Sequence, residues 1–488
     1  MPTQAKKAVF CVFDGLRPDR VTEEHTPNLW RFANAGTWFR ESRSVFPSVT
    51  RVATTSFATG SKPQTHGIVD NAFFHLPVIG DRPLDLSNGE HIAAAEAHHE
   101  GRFVQAPGVG CALAKAGKTY SVVHTGSIGS TYLVNHRARA NGHWTFSVHG
   151  AGATQTPEAV ETAIARFGPL PKSKPPKFDE VDYGTRVLIE HVLPERRPDV
   201  ALIWFAEPDT AYHYCEIGSP DSVEITRQVD RQFGAILEAI AATPDADETL
   251  VVAMSDHGQI ATLEEFDLFA TLTEAGFPAK NRVEDGIEVF ATRGAAVGLS
   301  LRNADKAALP DLAGVLMDLP ETGLIFSRNA FEAEGRIAGT LPYSLVGLDH
   351  ERAPDLVWVA RSSLKPDQHG LAGSGLFTGG VPVGGGMHGG LNPHELNTML
   401  AFGGADLPGL GQIADPADLT DIVPTVLTLL GVAVPPTMTG RPLPALTGGE
   451  RPEPTGETVS SGRGSFEQSV RIATGGPRPV VLSSGRGL

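Results

Sequence analysis

Apolar residues in this chain fall into two patterns. Short unbroken runs occupy residues 8–13, Tyr120–Val123, Asp199–Phe205 and Thr249–Met254. Continuous rather than alternating hydrophobicity predicts strands buried on both faces, as in a parallel sheet. Between the runs, apolar positions recur every three or four residues over Pro157–Phe167, Tyr183–Val192 and Ser222–Ala242, which predicts helices. Strands alternating with helices specify an α/β fold with a mostly parallel central sheet flanked by helices. In such sheets ligands bind beyond the carboxyl ends of the strands.

The segment 259–386 departs from this rhythm. It holds two β-like runs in Gly286–Leu301, a helical pattern near Asp305–Met317 and a strand-like Gly323–Phe326. We read it as an inserted α+β cap domain. The core pattern returns at Asn397–Phe402 and closes with a helix near Leu419–Leu430, ended by Gly431 and Pro435-Pro436. The expected division is therefore a catalytic core, 1–258 and 387–446, a cap, 259–386, and a Gly/Pro/Ser-rich C-terminal tail, 447–488. The pentapeptide Ser-Ser-Gly-Arg-Gly occurs twice in that tail, at 460–464 and 483–487. A flexible tail is the expectation. Ser469–Ala473 and Val480–Leu482 are its candidate strands for docking on a neighbour, which would make the protein a homo-oligomer.

Composition narrows the function. At 488 residues the chain exceeds the size of a single growing core, and 41% apolar with 20% charged residues excludes disorder for most of it. A net charge of −16 argues against a nucleic acid polymer as partner. A small anionic substrate then needs metal ions or a local cationic patch to offset the field. Cys11, Cys111 and Cys215 are too few and too scattered for a disulfide framework or a cysteine zinc site, and read as buried free thiols. The N-terminal apolar run is too short for a signal peptide, and no stretch approaches the roughly 20 residues of a membrane span. The expectation is a cytoplasmic protein with no membrane partner.

The chemistry gathers at element boundaries. Asp14 ends the first apolar run. Asp209 and His213 follow the third at a spacing that puts both on one face of a helix, and both side chains suit zinc. Asp256-His257-Gly258 follows the fourth; on an extended strand the two side chains would point apart, but a strand-end loop can turn them toward two metals or two sides of one site. His388 sits among five glycines over 384–390, which would let the backbone approach a ligand closely. Thr50 stands at the start of a helix expected from Arg51 to Ala58, with Gly60 at its end. It is either an ordinary N-cap or a nucleophile favoured by the helix dipole and a metal. Together Asp14, Thr50, Asp209, His213, Asp256, His257 and His388 supply three carboxylates, three imidazoles and a hydroxyl. That set suits two zinc-like ions bridged by a substrate oxyanion. His91, His98 and His99, near Glu96, read as a solvated helix face, and Asp349-His350 as loop.

Seven motifs then carry a resemblance: Phe13-Asp14-Gly15-Leu16-Arg17, Phe46-Pro47-Ser48-Val49-Thr50, Thr59-Gly60, His66-Gly67-Ile68-Val69-Asp70-Asn71, Glu207-Pro208-Asp209 with His213, Ser255-Asp256-His257-Gly258 and His388-Gly389. In this order and spacing the chain resembles the alkaline phosphatase superfamily, its nucleotide pyrophosphatase/phosphodiesterase branch and the related phosphonoacetate hydrolases. The resemblance implies an alkaline-phosphatase-like core with an inserted cap and two Zn2+, Mn2+ or another divalent ion being admissible. It places Asp14, Thr50, Asp256 and His257 on one metal and Asp209, His213 and His388 on the other. It makes Thr50 the nucleophile of a phosphothreonine intermediate, with the Arg51 backbone N–H and the Asn71 amide on a non-bridging oxygen.

The chain also departs from the pattern. Arg51 stands where nucleotide-cleaving members carry an aromatic residue, and Val122–Gly129 lacks the lysines of phosphonoacetate hydrolases. A substrate carboxylate would need another cation, with Arg51, Arg137 and Arg139 as candidates. The expected function is a two-metal phosphodiesterase acting on a small phosphate or phosphonate ester. A C–P bond hydrolase and a phosphoryl transferase on the same fold are the alternatives.

Overall fold

A computed structural model describes residues 5–303, 306–328, 337–451, 455–473 and 480–485. The unbroken apolar runs become strands because both of their faces find apolar cover. Along Lys7–Phe13, Ala8, Phe10 and Val12 enter one hydrophobic cluster, while Val9, Cys11 and Phe13 enter another on the opposite face. The same alternate-residue split holds along Val200–Phe205 and Thr249–Met254.

These strands form the middle of an eight-stranded sheet. Its order is Gly411–Asp418, Thr37–Arg43, Leu400–Gly404, Thr249–Met254, Lys7–Phe13, Val200–Phe205, Tyr120–His124, Trp144–Ser147. Every neighbouring pair is parallel except the two made by Leu400–Gly404. Helix Pro220–Ala241 covers one face with Ile225, Val229, Phe233, Ile236 and Ile240, a stripe at helical spacing. Each such side chain is worth roughly 1.5–3 kcal/mol of transfer free energy. Helices Thr50–Thr59 and Ile422–Leu429 cover the other face. The fold is thus α/β with a mostly parallel sheet between helices. The helix expected at Tyr183–Val192 starts earlier, at Phe178, and passes into wider π-type turns over Leu188–Arg196, a stretch containing Pro194 with no N–H to give.

The intervening segment builds two further sheets. Six strands order as Ala279–Lys280, Val289–Ala291, Ala296–Leu301, Leu356–Ala360, Thr322–Ser327 and Leu341–Pro342. Leu324, Phe326, Val357 and Val359 on one face join the main core, while Ile325, Leu356 and Trp358 on the other pack with helix Leu309–Asp318. Asp305, at the start of the expected helix, lies outside the described residues. Through these residues the segment shares apolar core with the central sheet and packs directly beside it. A four-stranded sheet, with Ile260–Glu265 between Ala372–Phe377 and Gly386–Met387, links the two.

The tail differs from the expected flexible segment. Gly456–Arg463, Phe466–Ala473 and Val480–Gly485 form an antiparallel sheet. Phe466 enters the cap cluster, whereas Val470, Ile472 and Val481 enter the main core. Gln468 donates to the carbonyls of Ile325 and Gly339 and accepts the Ile325 N–H. Composition concealed this, because Gly and Ser outnumber a period-two pattern carried by only a few apolar residues. The apolar face expected to dock on a neighbour is used within the chain, so the tail offers no argument for an oligomer. Arg486 and Gly487 of the second pentapeptide lie outside the described residues. Cys11 is buried, but Cys111 and Cys215 are only partly so, and all three are free. No helix among the described residues is long and apolar enough to cross a membrane.

Candidate active site

The seven residues singled out in the sequence converge at the carboxyl edge of the central strands. Asp14 directly follows Lys7–Phe13, and its backbone is tied to both neighbours: Asp14 N–H donates to Phe205 O at 3.1 Å, and Asp209 N–H to Asp14 O at 3.0 Å. Gly15 takes φ +70°, and a Cβ there would stand 3.0 Å from Asp209, so the Asp-Gly pair answers a left-handed turn and a close approach together. Asp209 opens helix Asp209–Cys215, and one turn on His213 Nε2 lies 3.3 Å from Asp209 Oδ1, as the spacing predicts. Asp256 and His257 follow Thr249–Met254 and are fully buried. The strand-end turn folds both inward, with His257 Nε2 3.3 Å from Asp256 Oδ2 and 3.5 Å from Asp14 Oδ1.

Thr50 is the first residue of helix Thr50–Thr59. Val49 occupies the cap position, and no side chain caps the helix. The Thr50 hydroxyl instead lies 3.2 Å from His257 Nε2, so the N-cap alternative does not describe it.

The three imidazoles share one arrangement. His213 Nδ1 meets Gly386 O at 2.6 Å, His388 Nδ1 meets Ser48 O at 2.8 Å, and His257 Nδ1 meets Gly258 O at 3.1 Å. A carbonyl can only accept, so each Nδ1 carries a proton and Nε2 is the atom each ring turns toward the carboxylates. Asp14 Oδ1 and Asp256 Oδ2 are buried without a hydrogen bond, although Trp204 Nε1 donates to Asp14 Oδ2 at 2.9 Å and Gly15 N–H to Asp256 Oδ1 at 3.1 Å. Lone pairs facing lone pairs at such separations repel unless a cation lies among them.

The residues therefore fit divalent ions. Ligand atoms of Asp14, Asp256 and His257 lie within 4.8 Å of one another, as do those of Asp209, His257 and His388. The electrostatics agree. Burial, reinforced by the Asp256 and Asp209 charges, holds the Asp14 carboxyl well above its ordinary range, and burial with the Asp209 charge pushes Asp256 up to about 8. At Asp209 burial is outweighed by the His213, His388 and His257 imidazoles, and its carboxyl stays well below. Burial and the neighbouring His257 hold His388 well below the ordinary imidazole range.

Several expectations change in detail. The glycines before His388 serve close approach to protein rather than ligand: a Cβ at Gly385 would meet His213 O at 2.1 Å, and one at Gly386 would meet Gln259 Oε1 at 2.1 Å. Arg51 N–H does not stand free for an oxyanion, because it donates to Asn71 Oδ1 at 2.9 Å. That bond orients Asn71 and leaves the amide nitrogen as its donor. The Arg51 Nε is buried without a hydrogen-bond partner, and the guanidinium lies within the electrostatic reach of Asp85, Asp14 and Asp209. Arg139 sits elsewhere, on Gln155 O at 2.7 Å, and Arg137 lines a separate cavity. His99 is not merely solvated: its Nε2 is 2.8 Å from His75 Nε2 and 3.3 Å from Arg352 Nη2, whose charge opposes a cation there. His350 Nε2 contacts Gln105 Oε1 at 2.9 Å, away from the site.

Sequence reasoning missed Trp204, hidden in an apolar run, and Gln259, which donates to the Asp209 carboxylate. It also missed a cleft of about 770 Å³ that opens on Asn71, His213 and His388 and runs between the core and the cap.

An α/β sheet carrying this carboxylate–imidazole–hydroxyl edge defines the alkaline phosphatase superfamily. Within it, the profile of the Type I phosphodiesterase / nucleotide pyrophosphatase family matches residues 8–389, and the chain belongs to that family of metal-dependent phosphoric ester hydrolases. It is 22% identical over 233 residues to venom phosphodiesterase 2 of Crotalus adamanteus, a match covering 48% of this chain and 24% of that protein. To ectonucleotide pyrophosphatase/phosphodiesterase family member 7 of Homo sapiens it is 23% identical over 281 residues, 55% and 52% of the two chains. The chain thus spans about half or less of these curated relatives. The solved phosphonoacetate hydrolase of Sinorhizobium meliloti 1021, in complex with phosphonoacetate, shares the fold with a TM-score of 0.63 and 18% identity, over 88% of this chain and 97% of that one.

Proposed function

We propose that the chain hydrolyses a small phosphate or phosphonate diester in two displacements through a phosphothreonine intermediate. One observation carries the reading: a Thr50 hydroxyl not used as a helix cap, 3.2 Å from His257 Nε2, in a ring of buried carboxylates with unpartnered oxygens. Asp14, Asp256 and His257 with Thr50, and Asp209, His213 and His388, would hold two divalent ions, Zn2+ suiting the donor set. Bound there, such ions supply Lewis acidity that favours the Thr50 alkoxide and neutralises charge on the phosphoryl oxygens.

In the first displacement the Thr50 hydroxyl releases its proton to solvent, Oγ1 attacks phosphorus, the P–O bond to the leaving group breaks, and the leaving oxygen departs with the electron pair and is protonated by solvent. In the second, a water oxygen bonds to phosphorus and releases a proton to solvent, while Thr50 Oγ1 departs with its pair and takes up a proton, which restores the hydroxyl. The helix start keeps Thr50 at the positive end of its dipole, where the alkoxide is favoured. Asn71, held by the Arg51 N–H, would direct its amide nitrogen at a non-bridging oxygen. The Arg51 guanidinium, its Nε buried without a partner, would bind substrate beside it.

The diester is preferred to the monoester because Val122–Gly129, the segment comparable to the one that carries the lysines of phosphonoacetate hydrolases, offers no lysine for a third anionic oxygen. The test is kcat/KM for an aryl phosphate diester over the matching monoester, with zinc-reconstituted protein and a Thr50→Ala control. A ratio well above one that vanishes in the control is expected. A ratio below one overturns the diesterase.

A further inference from the structure

We propose that the cap completes the site with an anion subsite. Arg282 and Arg293 of the cap, with Arg82 of the core, receive a second anionic group, a carboxylate or phosphate, carried by the substrate beside its scissile phosphorus. This rests on the diester reading above for its reaction, though not for its binding.

The cleft that opens at His213 and His388 is about 770 Å³, far more than a phosphoryl group fills. Its lining contains three arginines, Arg82, Arg282 and Arg293, against two carboxylates, Asp70 and Asp85. Three arginines gathered on one cleft stand in a chain of net charge −16, so the cluster is placed rather than inherited from composition. The two carboxylates are engaged close to home: Asp70 accepts the Asn71 N–H at 2.7 Å and Asp85 the Ser87 N–H at 2.7 Å. Burial also pushes the Asp70 carboxyl up to about 7, which leaves it only partly ionised at neutral pH.

The arginines themselves are undersupplied with anions. Arg82 and Arg282 share one carboxylate, Asp81, at 3.3 and 3.6 Å. Arg293 takes part in no ion pair within 4.0 Å among the described residues; its guanidinium is held by Thr378 O at 3.0 Å and lies 4.7 Å over the Phe269 ring. A carbonyl and an aromatic face orient a guanidinium without neutralising it. The cap segment that carries it reaches the metal-ligand loop, since a Cβ at Gly389 would stand 3.9 Å from Ala296 N. Core and cap loops are also tied directly, Val283 N–H donating to Asp81 O at 2.8 Å. The three cations therefore line the same cleft as Asn71, His213 and His388.

Binding to zinc-loaded Thr50→Ala protein tests the subsite without turnover. Titration calorimetry compares propylphosphonate, 3-phosphonopropanoate and propane-1,3-bisphosphonate. A doubly anionic ligand is expected to bind about tenfold or more tightly than propylphosphonate, the scale of a charge-assisted hydrogen bond. The stronger of the two names the group as carboxylate or phosphate. Adding Arg282→Ala and Arg293→Ala should bring the preference close to one, Arg293→Gln alone should reduce it, and Arg139→Ala should keep it. Equal affinities in the parent protein, or an undiminished preference in the double variant, would overturn the subsite. If the preference holds and no diester is turned over, the diesterase reading fails and the subsite stands.

Discussion

Two charged regions share the cleft, and they are built in opposite ways. At the sheet edge, Asp256 and His257 are completely inaccessible, and every imidazole is locked by a backbone carbonyl. At the rim, the Arg82 and Arg282 side chains are 51% and 54% exposed and stand on loops. Buried groups at strand ends hold a geometry to a fraction of an ångström; exposed groups on loops give attraction and selectivity that can change without disturbing that geometry. On the proposed reading, the difference places chemistry on the parallel sheet and choice of substrate at the junction with the cap.

The comparison is broken most severely at the sheet edge. Thr50→Ala should lower kcat/KM by about a thousandfold or more, the scale of losing a nucleophile, as read by steady-state kinetics with zinc-loaded protein. Trp204→Phe removes the N–H that orients Asp14 while keeping the aromatic bulk. It should cost about 10–100-fold in metal affinity or activity, measured by metal-competition titration; an unchanged affinity would remove Trp204 from the site. At the rim, raising salt from about 0.05 to 0.5 M should weaken 3-phosphonopropanoate several-fold more than propylphosphonate, because exposed charges are screened within about 10 Å at 0.1 M.

The smallest effect belongs to Asp70, on the wall between the regions. Burial raises its folded carboxyl from 3.8 to about 7, so the fold disfavours the ionised form. Its contribution is fully present below the unfolded value near 4 and is lost as pH rises through about 7. Asp70→Asn should therefore gain on the parent in melting temperature between pH 5 and pH 8, by on the order of 2 °C. A constant difference across that range would show the carboxyl to be ionised throughout.

Much of the sheet edge is legible in the amino-acid sequence alone. Asp209 and His213 announce themselves by helical spacing, and Asp14 and Asp256-His257 by standing at the ends of unbroken apolar runs. Those runs also specify the parallel sheet, because only burial on both faces tolerates continuous hydrophobicity. The tail misleads for the converse reason: in Phe466–Ala473 alternate polar residues dilute a strand pattern that composition then hides.

What the amino-acid order determined by itself is therefore local: which segments become strands and helices, and which reactive side chains stand at their ends. Only the tertiary structure decided that Thr50 would spend its hydroxyl on His257 rather than on its own helix, 207 positions away in sequence. It also brought Trp204 beneath Asp14, and arginines far apart in the chain onto one rim. Periodicity reports how a segment meets its immediate surroundings. Meetings between distant loops are set by the burial of apolar faces they do not contain, so the sign of the charge in the cleft cannot be read from any stretch of the chain that lines it.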